Sequence, residues 1–132
     1  MAGDIKLQYV ASVAPTVTNL HSLASSQDWL AGWTSASVSN LTNEYLDYLY
    51  AGTFTTHASN RQAGSINVYV IAALNDTPTL PATASGTIGT EGALSFTDTE
   101  ERDSLVRLLT SITVDNTASA IYTFPPTGIA QL

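Results

Sequence analysis

Alternation of apolar and polar positions is the strongest signal along the chain. Ile5, Leu7, Tyr9, Ala11 and Val13 recur at every second position with Lys6, Gln8 and Ser12 among them, the period of a strand with one buried face. Pro15 ends that strand. Thr16 to Asp28 is Ser, Thr, Asn and Ala without a clear period and predicts an extended connection, so residues 1–28 are expected to form a first strand and an extended N-terminal segment. Trp29 to Asn40 sets Trp29 and Trp33 around Gly32, then runs Ser35-Ala36-Ser37-Val38. A short strand with a bulge at Gly32 is expected there.

Glu44 to Thr56 carries the clearest pattern. Tyr45, Asp47, Leu49, Ala51, Thr53 and Thr55 alternate with Leu46, Tyr48, Tyr50, Gly52 and Phe54, and aromatic and Thr residues suit a pleated surface. The even-numbered set is the expected core face. Residues 57–65 have turn composition, and Ile66 to Leu74 returns as a strand, which predicts a long hairpin between 44–56 and 66–74. Asn75 to Glu91 holds Pro78, Pro81, Gly86 and Gly89 and is expected to be a long loop; segments of that length without structure are often functional. Thr97-Asp98-Thr99-Glu100 has the spacing of a capping box, followed by a helical turn over 99–104 and a strand over 105–114. Asp115-Asn116-Thr117 is the next turn, Ala120 to Phe124 the last strand, and Pro125-Pro126 its expected stop. Short strands, intervening turns and no βαβ alternation predict an all-β chain: a single β-sandwich over 1–132, jelly-roll-like, with long loops.

Composition narrows the function classes. The chain has 132 residues, enough for one core, and only 11% are charged while 44% are hydrophobic, which excludes a disordered polyelectrolyte. Ser and Thr together make 33 of the 132 positions, so solubility rests on hydroxyls and a net charge of -7. Four basic residues, Lys6, Arg61, Arg102 and Arg107, stand against eleven acidic ones. That balance disfavours nucleic acid and anionic membranes as partners. The longest apolar run, Val68 to Leu74, is far short of the roughly 20 residues of a membrane helix, and Met1 to Val10 lacks a secretory h-region, so synthesis and use without translocation are expected. The absence of cysteine removes disulfides and thiolate chemistry.

Candidate chemistry is sparse. His21 and His57 lie in Ser/Thr-rich sequence without a G-x-S-x-G elbow, and exposed loop positions are a better account of them than a catalytic triad or a metal site. Gly86, Gly89 and Gly92 do not make a dinucleotide fingerprint and are read as loop flexibility. Asp98, Glu100, Glu101 and Asp103, interleaved with Arg102 and Arg107, are read as a solvated face. Asn40-Leu41-Thr42 and Asn75-Asp76-Thr77 match the glycosylation sequon; with no secretory signal expected at the N-terminus, chance matches are the expected account. No catalytic residue, metal or cofactor is expected, and a hydrolase would need His21 or His57 beside a carboxylate and a hydroxyl. Trp29, Trp33, Tyr45, Tyr48 and Tyr50 have three readings: core packing, a sugar platform, or anchors of a protein interface. The interface reading fits the edges, because sheet proteins blunt edge strands with Lys above all and this chain has one Lys. Something else should cover the weakly charged strands 45–56 and 66–74.

The stretches 23–40 (LASSQDWLAGWTSASVSN), 45–56 (YLDYLYAGTFTT), 66–77 (INVYVIAALNDT) and 120–132 (AIYTFPPTGIAQL) resemble a family of small tailed-phage virion proteins encoded beside head genes. The resemblance rests on texture and short motifs across most of 23–132. It implies a head decoration or cement protein, a jelly-roll-like sandwich on the capsid exterior that braces neighbouring subunits. The implied partners are the major capsid protein and further copies of the chain, as a dimer or trimer. Such a protein is made in the host cytoplasm and incorporated into the virion. In that family the chain continues past the Pro-Pro segment with further strands, whereas this sequence stops at Leu132, so an unpaired edge, or pairing supplied by a neighbour, is expected. Residues 1–28, 75–97 and 125–132 are the expected contact regions. The competing reading is a tail or fibre component that binds host-surface glycans through Trp29 and Trp33.

Overall fold

The alternation that begins at Tyr45 folds as one half of an antiparallel ladder. In a computed structural model, which describes residue 17 and residues 25–38, 47–71, 84–86 and 89–130, with the backbone alone at 47–48 and 129–130, seven strands and one short helix follow in order. They are β1 (Ala31–Thr34), β2 (Asp47–Thr55), β3 (Gly64–Val70), β4 (Ser85–Gly86), β5 (Gly92–Ser95), α1 (Thr99–Leu105), β6 (Arg107–Val114) and β7 (Ile121–Ala130), preceded by a 3-10 turn at Gln27–Trp29. The chain is all-β with antiparallel sheets.

Pairing is nested. β2 pairs with β7, β3 with β6, and β4 with β5, while β1 adds to the other side of β5. Residues 47–70 therefore run against 107–130 as one long ribbon, and the expected hairpin between 44–56 and 66–74 is not formed. The reason lies at the corner where the ribbon bends. The connections 56–63 and 115–120 leave the β2–β7 ladder together and enter the β3–β6 ladder together, stitched by Thr56. Its N–H donates to the Ala120 carbonyl at 3.0 Å, its hydroxyl donates to the Thr117 carbonyl at 2.7 Å, and it accepts from the Ala120 N–H at 2.9 Å. Arg61 adds a donor to the Asn116 carbonyl at 2.9 Å. The bonds that a tight hairpin turn would have made are made instead across to the returning strand.

The even-numbered face of β2 is the inner one. Tyr50 stacks on Phe124 with centroids 5.7 Å apart, and Phe54 stacks on its cross-strand partner Tyr122 at 5.2 Å; such pairs contribute about 0.5–1.5 kcal/mol each beyond their burial. Phe124 lies over Gly52, where an added Cβ would stand 2.5 Å from its ring, so the glycine makes room for the aromatic. With Leu94, Val106 and Val114, Phe124 forms the buried apolar set among the described residues.

Several expectations are corrected. Pro125 and Pro126 do not stop the last strand: β7 runs on to Ala130, and the register moves from Gly52 opposite Phe124 to Tyr50 opposite Thr127. Both prolines then face the single residue Ala51, a bulge, where a missing N–H costs no ladder bond. The strand near Gly32 is Ala31–Thr34 in unbroken register with Gly92–Ser95, not 35–38, and carries no bulge. The expected loop 75–91 contains β4. Within it, Gly86 (φ 134°) is held against the backbone of Ala93 and Leu94, a close approach instead of a flexible hinge, and Gly92 opens β5. The expected first strand, the rest of residues 1–24 apart from Val17, and both glycosylation sequons lie outside the described residues.

The helix and β6 match expectation nearly to the residue. The cap is one position later than the spacing suggested: Asp98, not Thr97, accepts from the Glu101 N–H at 2.8 Å, and Glu101 reaches back to the Thr97 N–H at 2.9 Å. The pair of bonds is a variant of the capping box, in which the return bond goes to the residue before the N-cap instead of to the N-cap itself.

Candidate functional site

With Tyr50, Gly52 and Phe54 turned inward, alternation puts Leu49, Ala51, Thr53 and Thr55 on the opposite face of β2. Ile121, Thr123 and Pro125 of β7 join them, and all seven are exposed. Leu49 and Ile121 keep 71% and 70% of their surface, unusual for large aliphatics in the middle or at the start of long strands. The outer face of the β3–β6 ladder continues the composition, with Ser65 opposite Thr113, Asn67 opposite Ser111 and Tyr69 opposite Leu108. Among the described side chains, neither face carries a charge. Among described side chains, charges stand in turns, in α1, or at Arg107, the first residue of β6.

Each of these ladders has two strands, and no strand among the described residues pairs with the second edge of β2, β7, β3 or β6. Such edges present unpaired N–H and C=O groups that attract another strand unless charge, proline or cover prevents it. On β7 the two prolines break the row of donors; on β2, Leu49 to Thr55 offers no basic residue.

The two tryptophans have different settings. Trp33, on β1 opposite Ala93, is half-buried and donates its indole N–H to Glu91 Oε1 at 3.3 Å. Trp29 is 46% exposed and sits in a strained turn, Asp28 and Trp29 having φ of 60° and 52°. Consecutive left-handed residues other than glycine cost about 1–3 kcal/mol each and need support from their surroundings. Ser26 supplies some, its hydroxyl accepting from the Leu30 and Ala31 N–H groups at 3.1 and 3.0 Å; Arg102 supplies the rest by donating to the Asp28 carbonyl. A sugar platform made of both rings would need both faces open, so that reading now rests on Trp29. Tyr50 belongs to the inner stack, and the side chains of Tyr45 and Tyr48 lie outside the described residues.

Arg102 is the residue that sequence reasoning missed. Read as part of a solvated face, it is 13% exposed in its side chain, pairs with Asp103 at 2.7 Å, and sits 6.0 Å above the Tyr69 ring. The hydrogen bond to Asp103 raises its pKa further above an already high value. Only its sequence position beside Asp103 hinted at the ion pair; its contacts to Asp28 and Tyr69 span 74 and 33 positions and leave no local trace. Asp98 and Glu101, from the same acidic group, serve as helix caps, and Asp103 is Arg102's partner.

His57 accepts the Ser59 and Asn60 N–H groups on Nδ1 at 3.0 and 2.9 Å, which commits that nitrogen to the corner turn. His21 lies outside the described residues. Among the described residues no three His, Cys, Asp or Glu side chains are grouped to hold a metal ion, and no helix is long and apolar enough to cross a membrane. Of the expected contact regions, 125–130 is the far half of β7, 75–97 contains β4 and β5, and 25–28 leads into the Trp29 turn. Among known proteins, no family model, no curated protein and no solved structure matches the chain.

Proposed function

We propose that this chain is a structural virion protein of a tailed phage that decorates the capsid exterior and bridges neighbouring capsid subunits, working as a dimer or trimer. The observation that carries the reading is the pair of two-stranded ladders whose described outward side chains are uncharged and whose second edges no described strand covers. The nested order of pairing supports the finer fold reading as well, since a ribbon folded back on itself is how a jelly roll is built.

The mechanism is mechanical. A preformed β unit that binds the assembled shell but not free subunits adds its binding free energy to the shell alone. Burying side chains such as Leu49 and Ile121 contributes about 1.5–3 kcal/mol each, while association costs at least about 4 kcal/mol in lost freedom. One such patch therefore binds weakly. Two or three linked copies, each engaging its own capsid site, bind far more tightly without new contacts.

The experiment is co-sedimentation of the purified chain with capsids of the phage that encodes it, emptied of this protein. Saturable pelleting at a fixed number of copies per capsid is expected, together with a raised capsid melting temperature. Failure to pellet, or binding to host cells that Trp29→Ala removes, would contradict it and favour the tail or fibre reading.

A further inference from the structure

We propose that His57 is a pH-sensitive latch on the corner that joins the two ladders, and that a proton taken up at Nδ1 opens it. The side chain is exposed, so it exchanges protons directly with solvent. Its Nδ1 accepts the Ser59 and Asn60 N–H groups at 3.0 and 2.9 Å. Two main-chain donors aimed at one ring nitrogen require a lone pair there, which places the hydrogen of the neutral ring on Nε2. The imidazolium carries a hydrogen on both nitrogens and has no acceptor left. Protonation therefore sets donor against donor at both contacts. Histidine is the side chain that makes this change between about pH 5 and pH 8.

Arg61 carries the effect beyond the turn. Its Nη1 donates to the Ala58 carbonyl, inside the turn that His57 closes, and its Nε donates to the Asn116 carbonyl at 2.9 Å, on the connection that enters β7. Opening the turn frees the Ala58 carbonyl and loosens that bridge. The bonds between Thr56 and Ala120 follow, and they hold the bend between the β2–β7 and β3–β6 ladders. The imidazolium also places a second cation beside the Arg61 guanidinium. Asp115 is the other charged group on the two connections. The Tyr122 hydroxyl and the Thr117 N–H occupy its carboxylate and hold it below its ordinary range, Tyr122 first, so it stays ionised; Tyr122, raised by the same bond, stays neutral. The other ionisable groups among the described side chains of these four strands, Tyr50, Tyr69 and Arg107, stand toward the strand ends remote from the corner. The open corner accommodates the proton and the closed corner does not, so falling pH raises the open population.

The test follows the full chain from about pH 8 to about pH 5 by NMR-detected hydrogen exchange, with rates corrected for the intrinsic effect of pH. In wild type the Ser59 and Asn60 amide signals should shift, and protection at Thr56 and Ala120 should fall about tenfold or more, the order set by two hydrogen bonds. His57→Asn places an acceptor oxygen as many bonds from Cα as Nδ1, suits a turn and takes up no proton, so its protection should hold at both ends of the range. His57→Ala has no acceptor and should be open throughout. Wild type that keeps its protection at Thr56 and Ala120 in acid would overturn the latch, and so would a loss that His57→Asn shares. Should His57→Asn fail to fold or to hold the turn, His57→Ala still decides: it must match wild type in acid and be less protected at the alkaline end, and any other outcome overturns the latch. The device lies in the chain itself, so neither result depends on the virion reading.

Discussion

Gly86 and Gly52 are glycines for different reasons, and substitution separates them. At Gly86 the backbone is left-handed and an added Cβ would stand 2.3 Å from the Ala93 carbonyl oxygen, a main-chain atom that cannot move without breaking the β4–β5 pairing. Gly86→Ala should destabilise by about 2 kcal/mol or more, combining strained φ with overpacking. Gly52→Ala meets the Phe124 ring instead. The ring can turn aside at the expense of its stack on Tyr50, so a loss of about 1–3 kcal/mol is expected. Chemical denaturation of the two variants checks both values. Asp115 and Tyr122 close the connection between β6 and β7: the tyrosine hydroxyl donates to Asp115 Oδ1 at 2.6 Å, and the Thr117 N–H donates to the same oxygen at 2.9 Å. These bonds, that from Tyr122 first, lower the carboxyl's pKa, and the one to Asp115 raises the tyrosine's. A lowered carboxyl stabilises above its unfolded value and loses that contribution as pH falls through the folded one; a raised phenol stabilises below its unfolded value and loses it as pH rises through the folded one. The stability difference between wild type and Asp115→Asn should therefore be flat between about pH 5 and pH 9 and shrink on either side.

At the scale of elements, local signals were readable and distant ones were not. The even face of β2, the helix at 99–105 and the strand at 107–114 follow from spacing alone, because alternation and capping act within a few residues. Asp98 illustrates how firmly: Asp98→Ala removes the side-chain acceptor for the Glu101 N–H and should cost about 1 kcal/mol, measured by thermal unfolding. The partner of each strand was hidden, because pairing of β2 with β7 and β3 with β6 joins residues more than 35 positions apart, and nothing near Thr56 or Ala120 announces that they bond to each other. The prolines misled for a related reason: Pro125-Pro126 ends a strand by local rule, but a bulge opposite Ala51 accommodates both. The Trp29 turn was equally illegible, since its left-handed geometry depends on Arg102, supplied from α1. Of the candidate site, the shortage of lysine and the weakly charged strands were visible, whereas the contacts of Arg102 to the Asp28 carbonyl and the Tyr69 ring join distant parts of the chain and leave no local signal.

At the scale of the molecule, charge and apolar surface are separated among the described residues. Their acidic and basic side chains occupy turns, α1 and the start of β6, and the described outer faces carry mainly hydroxyl and aliphatic groups. Replacing Leu49 with Lys would place a charge on β2 where natural edges often carry one. It should raise solubility and reduce self-association while leaving the fold intact, read by sedimentation velocity, and an unchanged oligomer would remove the β2–β7 face as a contact between copies. The most direct measurement is an electron cryo-microscopy map of the phage particle that encodes the chain. The expected result is density for the β2–β7 and β3–β6 ladders on the outside of the head, at full occupancy, spanning junctions between capsid subunits. Density confined to the tail or its fibres, or particles that lack the chain altogether, would contradict a role in bracing the shell.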